Sequence, residues 1–312
     1  MSKIGVDYTT QVKVIVATHW DDDHIRGLGD IAGLCENADF FMSAALNDKR
    51  FNRIVLDSPL STAMKLDQKV NTGINEFHTV YHALKARRKT PEYALDNKLL
   101  WRSPMSSQAT VTALSPHSSA MDMAMQSILS LVPRDGTPIG NIKAPKPNYT
   151  SVVLWISINN TCLLLGADME ESPEFPGWSL ISADMRSRYS KAEVYKVAHH
   201  GSATGEHPQI WSDMLVQNPC CVIAPWQRGG RKLPTPNDLK RIRSKSDNVH
   251  LSHDRNPPGS VKKNRIKHRD RSMLKIKAKP LFQAFSMVRC RKKISFPASW
   301  NVEHFGNATP VL

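Results

Sequence analysis

No apolar run in this 312-residue chain approaches the roughly 18 residues of a membrane-spanning helix. Its first residues lack the basic-then-apolar pattern of a secretory leader. The five cysteines (Cys35, Cys162, Cys220, Cys221, Cys290) show no Cys-x-x-Cys spacing, which argues against a zinc ribbon or a thioredoxin-type redox motif. An odd count without a framework is the pattern of reduced thiols in a cytoplasmic protein. Cys220-Cys221 lies in an apolar run ending at Pro225 and is expected to pack in a core. Internal repeats and low-complexity tracts are missing too, which argues against solenoids and linker-rich chains.

Acidic residues are scarce in one region. Residues 228–312 hold 21 Lys and Arg against 5 Asp and Glu, whereas residues 1–227 hold 21 against 23. The net charge of +14 therefore arises entirely in the last quarter. Such asymmetry points to a polyanionic partner, although a merely solvated basic face has the same composition. A hydrophobic content of 40% suffices for a sizeable core, in one large α/β unit or two smaller ones.

Strand-like runs recur at residues 12–16, 38–42, 110–114, 151–158, 161–166, 193–198 and 220–224, rich in β-branched and aliphatic residues. Asn159-Asn160 between two of them is a hairpin signal. Helical periodicity covers 71–88, with Ile74, Phe77, Val80, Tyr81 and Leu84 on one face. A serine-capped, Met- and Ala-rich pattern covers 118–131, a short helix follows the first strand over 25–34, and Pro236-Asn237 opens a basic helix over 238–243. Residues 255–260 read as a loop, and 261–293 as a basic stretch with weak strand alternation at 273–277. Hairpins mixed with strand–helix alternation indicate an α/β fold.

Three strand ends carry metal-type ligands. The first is His19-Trp20-Asp21-Asp22-Asp23-His24, two histidines and three aspartates in six positions. A cluster of this density is costly unless a positive charge sits in it. Capping of the next helix by Asp22 or Asp23 would explain one aspartate only. Asp23 and His24, being adjacent, are expected to point in different directions, so that one loop could serve two ions. The second strand end is Leu165-Gly166-Ala167-Asp168. The third is Val197-Ala198-His199-His200-Gly201-Ser202. His78 and His82, at helical spacing i, i+4, could pair on a metal, but read rather as surface residues of an amphipathic helix.

These three motifs, in this order, resemble the metallo-β-lactamase superfamily. The His-His-Gly-Ser form, with 148–154 upstream, is most similar to the branch containing the hydrolase domain of the DNA-uptake protein ComEC. The resemblance runs from about residue 12 to 236, with 224–226 and 233–234 as further landmarks. It implies a four-layer αββα sandwich with two divalent ions, zinc or manganese, at one edge. Residue by residue, it implies that His19 and Asp21 bind a first ion and Asp23 and His24 a second. Asp168 would bridge them, and His199 or His200 would complete the second site. His117, after the strand at 110–114, stands near the position of a further first-site histidine. Asp23 would also orient the nucleophile.

Two departures matter. Asp21 stands where the family pattern His-x-His-x-Asp-His has its second histidine, which enriches the first site in oxygen and tilts it from zinc towards manganese or magnesium, with zinc still open. Only 17 residues precede Thr18, fewer than such domains place there, so an α/β sandwich lacking its first strands is expected. The expected organisation is a hydrolase domain over 1–254, with a basic segment over 255–312 packed on it.

The implied chemistry is hydrolysis by a metal-held hydroxide. The basic quarter favours a phosphodiester, hence a nuclease. Arg228, Arg231, Lys232, Lys240, Arg241 and Arg243 are candidate phosphate contacts, interleaved with Trp226, Phe282, Phe285 and Trp300 for base stacking. A small-molecule hydrolase (of a lactone, ester or phosphoester) and a non-catalytic nucleic-acid-binding module with a degenerate metal site stay open as alternatives.

Overall fold

The computed structural model describes residues 5–47, 68–104, 108–118, 121, 147–185, 190–253, 286–293 and 299–311. Most of the expected helix at 118–131, the loop at 255–260, the alternation at 273–277, Phe282 and Phe285 lie outside the described residues. The fold is mixed α/β, built on one large mixed sheet and one small parallel sheet.

The small sheet is β1 (Val14–Ala17), β2 (Asp39–Ser43) and β3 (Glu92–Ala94), all parallel. The large sheet has eight strands. In chain order they are β4 (Leu99–Arg102), β5 (Ala109–Ala113), β6 (Leu154–Ile158), β7 (Thr161–Leu165), β8 (Ala192–Lys196), β9 (Leu215–Ile223), β12 (Val249–Leu251) and β15 (Thr309–Pro310). Strands β4 to β7 form antiparallel pairs; β7, β8, β9 and β12 run parallel; β15 closes the far edge antiparallel to β12. Asn159, at φ 52, turns the β6–β7 hairpin at the expected Asn-Asn pair. Two further ribbons are β10 (Trp226–Arg228) with β11 (Arg231–Leu233), and β13 (Met287–Arg291) with β14 (Asn301–Phe305).

Period-two alternation sorts the side chains into three apolar clusters. Ile15 and Ala17 of β1, with Phe40 and Met42 of β2, pack against Leu28, Ala32, Phe77, Val80 and Leu84. The opposite faces, Val14, Val16 and Phe41, meet Ala113, Val152, Leu154 and Leu165 of the large sheet. The other face of the large sheet, including Trp155, Leu164, Tyr195 and Cys221, packs on Trp178, Ile181, Met185 and Ile242. Each fully buried Leu or Phe contributes about 1.5–3 kcal/mol, so this double-sided burial dominates the stability of both sheets. Cys220 and Cys221 are both buried free thiols, as the apolar run around them suggested.

The first helical stretch departs from expectation. It begins at Asp22 and is broken into α1 (Asp22–Ile25) and α2 (Leu28–Leu34), because Gly27 adopts φ 84 between them. Helix α3 (Gln68–Ala86) clamps both ends of α2. Glu76 accepts from the Gly27 and Gly29 amides at 2.8 and 2.9 Å, and Arg87 donates to the Cys35 and Ala32 carbonyls at 3.0 and 2.6 Å. An anion at the helix start and a cation at its end both complement the helix dipole. Among the described residues, the remaining α-helices are α4 (Trp178–Met185) and α5 (Pro236–Arg243), the latter opened by a capping box between Thr235 and Asp238.

Candidate metal centre

The carboxyl ends of parallel strands β7, β8 and β9 point to one side, and loops from both sheets meet there. The Thr18 carbonyl after β1 accepts from the Val152 amide at 3.0 Å, joining the end of β1 to the start of β6. This contact sets the His19–His24 loop over the ends of the large-sheet strands.

Four side chains converge. Asp23, His24, Asp168 and His200 each offer a ligand atom, all within 4.8 Å of one another. His200 Nε2 lies 3.0 Å from Asp23 Oδ2 and 3.0 Å from Asp168 Oδ2, and His24 Nε2 lies 3.1 Å from Asp168 Oδ1. An ion with bonds of about 2.0–2.2 Å holds its donors no more than about 4.4 Å apart, so small adjustments fit this set to a divalent cation. Two nitrogens and two carboxylates suit zinc or manganese. One buried polar atom adds to the fit: His19 Nε2 makes no hydrogen bond.

The backbone that presents these groups is unusual. His199, His200 and Gly201 are left-handed in succession, at φ 44, 54 and 82. A non-glycine residue there carries strain of order 1–3 kcal/mol. The twist separates the two histidines. His200 turns inward, its Nδ1 held 2.8 Å from the Ala224 carbonyl, which leaves Nε2 for the cluster. His199 turns to Glu170 and Thr204, its Nδ1 3.0 Å from each, with Asn148 3.4 Å from its Nε2. The neighbouring Ala167 is left-handed as well, at φ 46, and Gly166 is fixed by close approach, since a Cβ there would lie 2.8 Å from Ala198 Cβ.

Electrostatics follow this packing. Burial works against the charged form of Asp168, yet its hydrogen bonds to His200 and His24 hold the carboxyl far below the usual range. Burial likewise opposes protonation of His200, but the hydrogen bonds to Asp168 and Asp23 prevail and raise it to about 9. His19, buried and beside His24 with ring centroids 4.2 Å apart, is pushed down to about 3, first by burial and then by the His24 charge. Burial also lowers Lys196, whose Nζ sits 3.8 Å from Asp168 Oδ1.

Several expectations need correction. Asp23 and His24 do not diverge; one turn of α1 carries both into the same group. Neither Asp22 nor Asp23 caps the helix: Asp21 occupies the cap position, without a side-chain cap bond, and Asp22 pairs with Arg26 at 2.9 Å. Asp21 lines the pocket beside Asp23 and Asp168 but lies outside the four-residue group. His117 joins a different group with Asp96 and Asp184, where Asn97 and Ser118 already donate to the two carboxylates. Following a strand of the large sheet, it falls at a separate loop rather than at the β7–β9 ends. Arg241 and Arg243 are engaged inside the fold: Arg241 donates to the Gly201 carbonyl at 2.7 Å and pairs with Glu206 and Asp238, and Arg243 donates to the Val311 carbonyl. His78 and His82 face each other on α3, Nε2 to Nε2 3.2 Å.

Arg228, Arg231 and Lys232 fall on the exposed β10–β11 ribbon, and Lys240 is exposed on α5. Trp226 and Arg228 line the pocket that Asp23, Asp168 and His200 share, the indole lying roughly parallel to the His200 ring with centroids 6.1 Å apart. The ribbon continues along a cleft of about 990 Å³ that includes Arg231, Lys232 and Pro234. Trp300 lies elsewhere, donating to Glu193 at 2.9 Å. Lys196, Glu170 and Asn148 were not read as site residues from the sequence; the signal for Glu170 was its place two residues after Asp168.

No family model and no curated protein matches this chain. Among the described residues, no helix is long and apolar enough to cross a membrane.

Proposed function

We propose that this chain is a metal-dependent phosphodiesterase acting on nucleic acid, a ComEC-like member of the metallo-β-lactamase superfamily. One observation carries the reading: Asp23, His24, Asp168 and His200 converge at the carboxyl ends of the strands, and Asp23, Asp168 and His200 open into a pocket walled by Trp226 and Arg228. The three apolar clusters support it, since they stack α2 and α3, the small sheet, the large sheet, then α4 and α5 in the order of an αββα sandwich.

Divalent ions held here, two of zinc or manganese by the family resemblance, would lower the pKa of bound water and neutralise charge on the reacting phosphate. The chain's own groups supply the rest. Asp168, nearly buried, is the fixed anionic anchor, and His200 is oriented by its bond to the Ala224 carbonyl. Asp23 is the more exposed carboxylate, about one third accessible, and is placed to orient an incoming water and accept its proton. Arg228 would pair with a phosphate adjoining the scissile one, and Trp226 offers an indole face to a base.

The test is hydrolysis of single-stranded DNA, RNA and a generic phosphodiester with added manganese or zinc. Cleavage of the nucleic acids, abolished by a chelator and by Asp168→Ala and Asp23→Ala, is the expected result. Cleavage of the small diester alone would replace this reading with a small-molecule hydrolase. Binding of nucleic acid without cleavage under any metal would replace it with a binding module.

A further inference from the structure

We infer that Lys196 is a built-in cation at the second metal position, so that the centre is intrinsically unequal. One ion is held tightly by Asp23, His24, Asp168 and His200, and a second is held weakly beside His19 and Asp168 because Lys196 competes for the same carboxylate. This rests on the metal-centre reading above and concerns how that centre loads.

Three observations lead here. First, His19 Nδ1 is taken by the Thr18 hydroxyl at 3.1 Å, leaving Nε2 buried without a hydrogen bond. This atom marks where a second ion would attach, next to Asp168 Oδ1. Second, that position is poor in ligands. His117, the further histidine implied by the family pattern, sits with Asp96 and Asp184 instead, and Asp21 lies outside the four-residue group. Third, a positive charge already stands there. Lys196 is the last residue of β8, and its Nζ donates to the Ala167 carbonyl at 2.9 Å and lies 3.8 Å from Asp168 Oδ1. Its side chain is about one quarter exposed, so water screens it little. Asp168 thus divides its two oxygens, Oδ2 towards His200 and Oδ1 towards His24 and Lys196. A dication at Oδ1 meets an ammonium that is tethered by its hydrogen bond and cannot swing far away.

A purely structural role would make Lys196 a positioning residue that steadies the Ala167–Asp168 turn. Charge and hydrogen bonding can be separated. Lys196→Gln keeps a donor for the Ala167 carbonyl and removes the charge, whereas Lys196→Arg keeps both. The experiment is titration of metal-free full-length protein with manganese by calorimetry, with metal content measured after dialysis and folding checked by circular dichroism. The wild type and Lys196→Arg are expected to retain one ion and to bind a second at least about 10-fold more weakly. Lys196→Gln should tighten the second step by about 10-fold or more and leave the first unchanged. Two equal ions in the wild type, or a second step indifferent to Lys196→Gln, would overturn the inference while leaving the metal centre standing. Absence of any bound ion would overturn both.

A separate observation, independent of the metal centre, concerns Cys220 and Cys290. Their sulfurs lie 3.7 Å apart, joining β9 of the large sheet to β13. Cys220 is buried and Cys290 is partly exposed. A disulfide needs a separation near 2.05 Å, within reach of a small side-chain rotation. We infer that a peroxide converts this pair into a disulfide. Hydrogen peroxide oxidises the Cys290 thiol to a sulfenic acid and leaves as water; the Cys220 sulfur then displaces hydroxide from it, forming the S–S bond and a second water. The test treats the full chain with hydrogen peroxide, alkylates remaining thiols and maps unreduced peptides by mass spectrometry. A Cys220–Cys290 linkage is expected, reversed by dithiothreitol, lost in Cys220→Ser and Cys290→Ser, and kept in Cys221→Ser. Recovery of Cys290 as alkylated thiol or sulfinic acid, or a linkage that survives Cys220→Ser, would overturn it.

Discussion

His199 and His200 are neighbours in the chain with different chemistry, because consecutive left-handed residues turn one ring out to Glu170 and the other in to Asp168. Their substitutions should therefore behave differently. His200→Ala removes a ligand and should weaken metal affinity by more than the roughly 10–100-fold typical of an outer partner. His199→Ala should leave metal content after dialysis close to that of the wild type. Equal losses in both would mean that the two rings share the ion. Gly166 makes a second residue-scale case. An added methyl group would lie 2.8 Å from Ala198 Cβ, and overpacking of this kind costs about 1–3 kcal/mol. Gly166→Ala is expected to lower stability to denaturant by that amount, and Ala198→Gly in the same chain to restore much of it. A single substitution without effect would show that the β7 turn can move away.

At the scale of elements, α2 has seven residues, too few for a helix to persist in water without tertiary support. Its apolar face and the α3 clamp hold it. Glu76 satisfies two amides at the start of α2, and hydrogen bonds to a charged group contribute about 1.5–3 kcal/mol. Glu76→Ala should thus lower urea stability by about that much, whereas Glu36→Ala, an exposed charge just after the helix, should change it by less than about 0.5 kcal/mol. These elements also show what the sequence makes legible. The central strands could be read because their apolar residues alternate and end in chemistry-bearing turns. The α3 face could be read because Phe77, Val80 and Leu84 repeat at helical spacing, and all three are buried. Short elements defined by their neighbours could not. Strand β3 is only Glu-Tyr-Ala, and the β10–β11 ribbon carries Trp-Gln-Arg and Arg-Lys-Leu, with no apolar alternation to announce it. The residues of the strand-end cluster were legible as residue types at strand ends. The inward place of His200 rather than His199, the separate place of His117 and the contact of Lys196 with Asp168 depend on backbone twist and on contacts between strands remote in sequence, which local pattern does not encode.

At the scale of the whole molecule, the proposed metal centre is where the two sheets are joined. Asp23 and His24 arrive on α1 from the small-sheet side, and Asp168 and His200 arrive from the large sheet. An ion gripping all four would bridge both layers, and because the unfolded chain offers no such constellation, its binding free energy would add to folding stability. At a free ion concentration about 100 times the dissociation constant, the gain is about 2.7 kcal/mol. For a chain of this size that corresponds to a rise in melting temperature on the order of 5 °C. Manganese or zinc added to metal-free protein is expected to produce such a rise, and a chelator to reverse it. Asp168→Asn, which keeps the shape and removes the shared carboxylate, should abolish it. His82→Ala, on the distant pair of α3, should leave it intact. A rise that persists in Asp168→Asn but disappears in His82→Ala would place the stabilising ion on the surface of α3 and remove the bridging role from the strand-end cluster.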